Sequence, residues 1–324
     1  MNTLSARKPD PSISCVVPAY NEAENLPSLL QLLTVQLRLC AEHWEVLVVD
    51  DGSQDMTAAA LQPWLLEPGV RYLRLSRNFG KEVALSAGID HAKGEVVVLM
   101  DADLQHPPAM IPQMLEAWRQ GADMVCAARD SRADESWSKR LGTRWFFAIV
   151  NASSHVPIPE DAGDFRLMDR RVVDALKSLP ERDRFLKGLY AWVGFRNQIV
   201  RYTPAARFAG RSSFSLRRLA SLALTGITSF TNLPLRVWSG VGALVALGGM
   251  LLALYVVVEH FAAGHPVPGW ATIVVSVSFF SGMQLLSIGI LGEYVGRIYN
   301  EVKQRPLYLI GQESGTSGIE PAAG

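Results

Sequence analysis

Short apolar segments that end at acidic or turn-forming residues recur through the first half of the chain, and they restrict its possible folds more than any other feature. Five segments are predicted to be buried strands, because apolar residues make up most of each one. They are Ile13–Val17, Glu45–Val49, Val70–Leu75, Glu95–Met100 and Asp123–Ala127.

Helical segments separate these strands. Ala23–Leu39 has leucines at helical spacing, and Glu82–His91 and Pro108–Gln120 occupy two of the later intervals. Such alternation predicts an α/β fold, with a Rossmann-like, mainly parallel sheet covered on both faces. Ligands of these sheets bind at the carboxyl ends of the strands.

Paired acids stand where two of the strands end. Asp50 and Asp51 follow one apolar run, and Asp101 and Asp103 follow another. One such pair is as easily explained by helix capping. Two pairs at the same sheet edge favour a binding site.

The spacing of the second pair indicates a divalent cation. In an extended segment Asp101 and Asp103 lie on one side, and Gln105 adds an amide oxygen two residues later. Mg²⁺ or Mn²⁺ commonly binds one or two carboxylates together with substrate phosphates. This arrangement implies a nucleoside diphosphate. The sequence lacks a Gly-x4-Gly-Lys-Ser/Thr loop, which disfavours phosphate-loop NTPases.

Two long uncharged runs occupy the last third of the chain. Val237–Val258 and Ala271–Gly292 are 22 residues each, about 33 Å of helix against a hydrocarbon core of about 30 Å. They predict two transmembrane helices, with a pair of buried core helices as the alternative. Lys and Arg flank the runs but are absent from the link Glu259–Trp270, so both termini are predicted to be cytoplasmic.

The sequence preceding the first run is amphipathic, and the last residues are polar. Phe214–Val237 is predicted to form interfacial helices, with a core helix of the soluble domain as the alternative. The segment after Tyr308 is predicted to be disordered.

Several motifs together resemble glycosyltransferase family 2. They are Val17–Glu22 (VPAYNE), Val49–Asp55 (VDDGSQD), Arg77–Lys81 (RNFGK), Asp101–Pro108 (DADLQHPP) and Gly163–Arg170 (GDFRLMDR). With two C-terminal spans, the chain is similar to polyprenyl-phosphate glycosyltransferases, the dolichol-phosphate mannosyltransferases and, more closely, the bactoprenol glucosyltransferases.

The resemblance implies a domain plan and a set of site residues. The plan has a cytoplasmic glycosyltransferase domain of the A type (1–210), interfacial helices (211–236), a transmembrane hairpin (237–296) and a cytoplasmic tail (297–324), in a multi-pass protein of the bacterial inner membrane. It also implies a homotetramer. The implied nucleotide-binding residues are Pro18, Tyr20, Glu22, Asp51, Lys81 and Asp101. Asp101, Asp103 and Gln105 are the implied metal ligands, and Asp103 and Asp164 the catalytic residues.

The expected acceptor is a lipid phosphate, whose monoester is largely ionised near neutral pH, with a second pKa of about 6. Such a nucleophile needs positioning and nearby cations more than a general base. Arg129, Arg166, Arg207 and Arg211 are therefore predicted to bind the acceptor phosphate. Asp164 is predicted to be either a base or a group that orients an arginine or the acceptor.

The predicted function is metal-dependent, inverting transfer of a hexose from a nucleotide sugar to undecaprenyl or another polyprenyl phosphate at the inner leaflet, with UDP-glucose as the favoured donor. GDP-mannose and modified UDP-sugars stay open as donors. A processive polysaccharide synthase is disfavoured, because two spans are too few for a pore. The alternative from another class is a non-catalytic, membrane-anchored nucleotide-sugar sensor, which intact Asp101, Asp103 and Gln105 argue against.

Overall fold

The computed structural model describes residues 7–129, 163–182, 184–202, 233–263 and 269–319. Within these ranges eight strands form one sheet in the order β7-β5-β6-β4-β1-β2-β3-β8. The strands are β1 Ile13–Ala19, β2 Trp44–Asp50, β3 Val70–Leu75, β4 Val96–Leu99, β5 Met124–Arg129, β6 Arg166–Asp169, β7 Asn197–Tyr202 and β8 Ile310–Gly315.

Helices connect or follow the strands. They are α1 Leu26–Cys40, α2 Thr57–Leu61, α3 Lys81–His91, α4 Ile111–Arg119, α5 Arg170–Ser178, α6 Leu186–Trp192, α7 Leu233–Ala263 and α8 Trp270–Val302. Short 3₁₀ turns occupy Gln62–Leu66 and Pro108–Met110.

The centre of the sheet confirms the predicted α/β architecture. β1 pairs in parallel with both β2 and β4, and β3 continues the parallel set beyond β2. β6 runs antiparallel between β4 and β5, and β8 runs antiparallel along β3. The sheet is therefore mixed around a parallel core.

Apolar side chains cover both faces of this sheet. On one face α1 contributes Leu26, Leu29 and Leu33 to a buried cluster that also includes residues of α4. On the other face Leu85 of α3 and Val172 of α5 lie in a second cluster. Burial on both sides explains why the central strands read as continuous apolar runs rather than alternating ones.

The prediction of two transmembrane helices is wrong. Among the parts of the chain that the structure describes, no helix is sufficiently long and apolar to cross a bilayer. The predicted multi-pass location in the bacterial inner membrane, with cytoplasmic termini, is contradicted by the same finding. The predicted interfacial helices lie almost entirely outside the described residues.

The prediction of a disordered C-terminal segment is also wrong for residues 309–319. β8 pairs with β3, and the amide of Ser76 donates a hydrogen bond to the carbonyl of Leu309 at 2.8 Å. The guanidinium of Arg71 binds Glu313 at 2.9 Å, and Arg71 also contacts the buried carboxylate of Glu45 at 3.0 Å. Backbone pairing with β3 and the ion pair between Glu313 and Arg71 thus fix a segment whose polar composition suggested disorder.

Candidate active site

Three neighbouring strands end together at the site. The amide of Asp51, just after β2, donates to the carbonyl of Ala19 at 2.9 Å, and the amide of Met100, just after β4, donates to Val16 at 3.0 Å. Because β1 lies between β2 and β4, the two acidic strand ends flank the end of β1. This is the carboxyl edge where the sequence predicted a ligand.

Lys81 links two of the predicted acids. Its Nζ lies 2.7 Å from Oδ1 of Asp101 and 2.7 Å from Oδ2 of Asp164, although 20 and 83 residues separate the partners. Lys81 begins α3, and its side chain remains 44% exposed. We call Lys81, Asp101 and Asp164 the charged triad.

Asp164 is held in its ionised form. Burial alone would raise its pKa, but Lys81 and Lys187 outweigh burial and hold the pKa of Asp164 well below its usual range. Lys187, on α6, places Nζ 3.9 Å from the other carboxylate oxygen and is 32% exposed. A carboxylate with this pKa and two ammonium partners is a poor proton acceptor near pH 7. The structure therefore favours an orienting role for Asp164 over a general-base role.

Burial opposes the charge on Lys81, yet the carboxylates of Asp101 and Asp164 outweigh burial and raise the pKa of Lys81. Lys81 therefore stays cationic throughout the physiological range. It provides a fixed positive charge at the sheet edge, suited to an anionic group of a substrate.

The end of β1 adds a third acid to this edge. Burial raises the pKa of Glu22, and the negative charges of Asp103 and Asp101 add to that rise. The side-chain amide of Asn25, which donates a hydrogen bond of 2.7 Å to Glu22, opposes it. The carboxylates of Glu22, Asp101 and Asp103 thus repel one another, and a bound cation would relieve that repulsion.

The described part of the chain contains no group of three or more His, Cys, Asp or Glu side chains placed to hold a metal ion. Asp101, Asp103 and Gln105 nevertheless fit a hard cation, because Mg²⁺ and Mn²⁺ sites with only one or two protein carboxylates are completed by water and substrate phosphates. The backbone amide of Gln105 donates a hydrogen bond to Oδ1 of Asp103 at 3.1 Å, and this bond orders the loop.

Asp51 is engaged by the loop that precedes α3. Its two carboxylate oxygens accept the amides of Phe79 at 2.7 Å and Gly80 at 2.8 Å, and its residue is 3% exposed. Next to it Gly52 has a φ of +69°, and a Cβ there would lie 2.5 Å from the carbonyl carbon of Arg77. The position therefore requires glycine, and Asp51 holds two loops together.

The other nucleotide-binding predictions fall around the same strand end. Pro18 is buried in β1, opposite Val49, whereas Tyr20 is 43% exposed just beyond the strand. Asn21, which we did not predict, has a φ of +56° and bridges loops. Its amide donates to Ser53 at 3.0 Å, and its side-chain oxygen accepts the amide of Gln54 at 2.9 Å.

Arg166 lies away from solvent. It is 2% exposed in β6, with its guanidinium 3.6 Å from the ring centroid of Tyr190 and a hydrogen bond of 2.8 Å to the carbonyl of Gly163. This position braces the segment that carries Asp164. The backbone of Arg129 pairs with Tyr202 at the end of β5, and Arg207 and Arg211 lie outside the described residues.

His106 was interpreted as an ordinary loop residue, and the structure gives it a supporting role. Its ring is buried and stacked on Phe165 at 5.1 Å, and Nδ1 accepts a long 3.4 Å hydrogen bond from the amide of Asp101. Burial lowers the pKa of His106, so the neutral ring supports the Asp101 loop.

The sequence does not single out Glu82 or Lys187, because each is an ordinary charged residue on a helix. Glu82 accepts the amide of Leu186 at 3.2 Å and so joins α3 to α6. Burial raises the pKa of Glu82 to about 7, and the charge of Asp164 adds to the effect. Neither residue can be connected with Asp164 from sequence spacing, because the tertiary fold brings them together.

The fold and the acidic, lysine-bridged edge are those of an α/β protein with a binding site at the carboxyl ends of its parallel strands. The chain belongs to glycosyltransferase family 2, since the model of "Glycosyl transferase family 2" matches residues 14–177. It is 44% identical over 299 residues to an uncharacterised glycosyltransferase of Synechocystis, covering 92% of this chain and 94% of that protein.

The chain is also 44% identical over 302 residues to the bactoprenol glucosyl transferase of Shigella phage SfV, covering 93% of this chain and 98% of that protein. Among solved structures, glucosyl-3-phosphoglycerate synthase from Mycobacterium tuberculosis, in complex with Mn²⁺, UDP-glucose and phosphoglyceric acid, gives a TM-score of 0.46. That match has 22% identity and covers 66% of this chain and 76% of that chain.

Proposed function

We propose that this glycosyltransferase moves one hexose, glucose from UDP-glucose as the favoured case, to a polyprenyl phosphate with inversion at the anomeric carbon. The observation that carries the proposal is the charged triad, which places a permanent cation and two carboxylates at the carboxyl edge of the sheet. Support for the acceptor and the sugar comes from the relative in Shigella phage SfV, which is a bactoprenol glucosyl transferase.

The donor binds at the ends of β1, β2 and β4. Asp101, Asp103 and Gln105 would hold Mg²⁺ or Mn²⁺, which supplies positive charge to the leaving nucleoside diphosphate. Lys81 provides a second cation close to the same group. Tyr20 is exposed at the mouth of this region and is available to the nucleotide.

The acceptor supplies its own nucleophile. A phosphate monoester is mostly dianionic at neutral pH, so no side chain has to remove a proton before it attacks. Direct attack on the anomeric carbon, opposite to the leaving diphosphate, inverts that centre. The bond between the anomeric carbon and the donor oxygen breaks as the bond to the acceptor phosphate oxygen forms, and the nucleoside diphosphate leaves with the electron pair.

The protein has to bring two anionic substrates together, and cations accomplish this. Lys187 is partly exposed beside Asp164 and is suited to the acceptor phosphate, whereas Arg166 is buried. Asp164 keeps Lys81 in place and in its charged form, and it also attracts Lys187. Arg129, Arg207 and Arg211 stay predicted acceptor ligands, and the homotetramer also stays a prediction.

The test is transfer of radiolabelled sugar by the purified protein with Mg²⁺ or Mn²⁺, polyprenyl phosphate and a panel of nucleotide sugars. We expect a lipid-linked product with UDP-glucose. A product with GDP-mannose or a modified UDP-sugar instead would change the donor but keep the reaction class. Binding of nucleotide sugar without turnover would favour the sensor, and a product formed only on a carbohydrate acceptor would overturn the proposal.

A further inference from the structure

Helices α3 and α6 meet at Asp164, and each contributes a lysine and the residue next to that lysine. Nζ of Lys81, on α3, lies 2.7 Å from the Asp164 carboxylate, and Nζ of Lys187, on α6, lies 3.9 Å from it. The neighbouring residues join the two helices directly, because a carboxyl oxygen of Glu82 accepts the backbone amide of Leu186 at 3.2 Å. Glu82 therefore lies at the junction that determines how α6 presents Lys187 to the site.

The charged and titratable groups around Glu82 come from three elements of the fold. Lys81 precedes it on α3, and Asp164 acts on it from the segment before β6. Lys187 and Tyr190 interact with it from α6. Burial raises the pKa of Tyr190, so its hydroxyl stays neutral. A neutral Glu82 leaves two ammonium groups beside Asp164, whereas an ionised Glu82 adds a further carboxylate to the junction.

The ionisation of Glu82 is sensitive to negative charge brought to this junction. Burial, together with the charge of Asp164, raises the pKa of Glu82 to about 7. An acceptor phosphate bound at Lys187 adds negative charge, and like charges disfavour ionisation. Acceptor binding and protonation of Glu82 therefore favour each other, and by reciprocity an ionised Glu82 weakens acceptor binding.

We propose that Glu82 is a positioning residue that holds the start of α6 and leaves Lys187 fully available to the acceptor phosphate only when Glu82 is neutral. The inference rests on the proposed function, because it takes Lys187 as a ligand of the acceptor phosphate. The donor side should behave differently. Lys81, which contacts Asp101 at 2.7 Å, stays cationic throughout the physiological range, so donor affinity should not follow the ionisation of Glu82.

The experiment measures two Michaelis constants of the full chain with Mg²⁺ from about pH 6.5 to about pH 8.5. One is for farnesyl phosphate, a short isoprenyl phosphate, and the other is for the nucleotide sugar that supports transfer. The variants are Glu82→Gln, which keeps the hydrogen-bond acceptor but cannot ionise, and Glu82→Ala, which loses both properties. Glu116→Gln, on the exposed surface of α4, is the matched control. The acceptor, with a second pKa of about 6, is mostly dianionic across this range.

In the wild-type protein and the control, the KM for farnesyl phosphate should rise by about fivefold across this range, while the KM for the nucleotide sugar changes less than about twofold. In Glu82→Gln the acceptor KM should stay near the value that the wild-type protein has at the acidic end. In Glu82→Ala it should also be independent of pH, but higher than in Glu82→Gln, because the amide of Leu186 loses its acceptor.

An acceptor KM that does not change with pH in the wild-type protein, or that rises equally in Glu82→Gln, would overturn the inference. So would equal rises for the acceptor and the nucleotide sugar, because the effect would then not belong to the acceptor. Loss of transfer by Glu82→Gln at every pH would also overturn it, since a neutral side chain that accepts the Leu186 amide should suffice. The proposed function survives each of these outcomes if the wild-type protein transfers the sugar. Failure of the wild-type protein to transfer any sugar to an isoprenyl phosphate would instead remove the proposed function, and this inference with it.

Discussion

The substitution Glu82→Gln tests the electrostatics of the site through the pH dependence of the free energy of unfolding. The carboxyl group lies between α3 and α6 and accepts the amide of Leu186. Burial, reinforced by the charge of Asp164, raises its pKa from 4.5 to about 7. The folded protein therefore binds more protons than the unfolded chain between these pH values, and the stability that Glu82 contributes is lost as pH rises through about 7.

A glutamine at this position accepts the same hydrogen bond without titrating. The rise in the pKa of Glu82 corresponds to a loss of at most about 3 kcal/mol of unfolding free energy above pH 7 in the wild-type protein. We expect Glu82→Gln to have a higher free energy of unfolding than the wild-type protein at pH 8, and the gain to shrink toward zero near pH 4.5.

The assay is denaturant-induced unfolding of both proteins across pH 4.5–8. Glu116→Gln, on the exposed surface of α4, is the matched control, because it makes the same substitution away from the site. A constant difference for Glu82→Gln at all pH values, or a less stable variant at pH 8, would refute the reasoning.

Three further predictions concern the strand ends. Lys81→Met should lower kcat by about 100-fold at saturating donor, because the permanent cation beside Asp101 and Asp164 is lost. A near-normal kcat in steady-state kinetics would contradict this prediction. Asp164→Asn should lower turnover by at least about tenfold while calorimetry shows intact donor binding; wild-type turnover would remove Asp164 from the site. Gly52→Ala should cost at least about 1–2 kcal/mol of unfolding free energy, because its φ is positive and the Arg77 backbone lies against it, and an unchanged Tm would show that the loops adapt.

The sequence predicts well those parts of the fold that depend on a pattern of neighbouring residues. The buried strands β1, β2 and β4 are largely apolar runs because helices cover both faces of the sheet. Their carboxyl ends meet wherever parallel strands neighbour one another, so the shared edge of Asp51 and Asp101 follows from the same pattern. β8 has no such pattern. It lies at the sheet edge with exposed polar side chains, and its stability depends on pairing with β3.

The parts of the site that sequence reasoning missed depend on long-range contacts. Lys81 meets Asp164 across 83 residues, and the approach of Lys187 depends on how α6 packs against α3. Arg166 shows the opposite error. Arginine suggests a phosphate ligand, yet its place in β6 directs it to Tyr190 in the core. Residue type indicates the chemistry that is available, and the packing decides where it is used.

Sugar transfer at the carboxyl edge of the sheet is the central claim, and one measurement addresses it directly. Purified wild-type protein and Asp103→Asn are incubated with Mn²⁺, polyprenyl phosphate and UDP-[¹⁴C]glucose, and the label in extracted lipid is followed over time. We predict a lipid-linked product for the wild-type protein and a rate at least about 100-fold lower for the variant. Equal rates in the two proteins, or label that never enters the lipid while nucleotide binding is intact, would contradict the account.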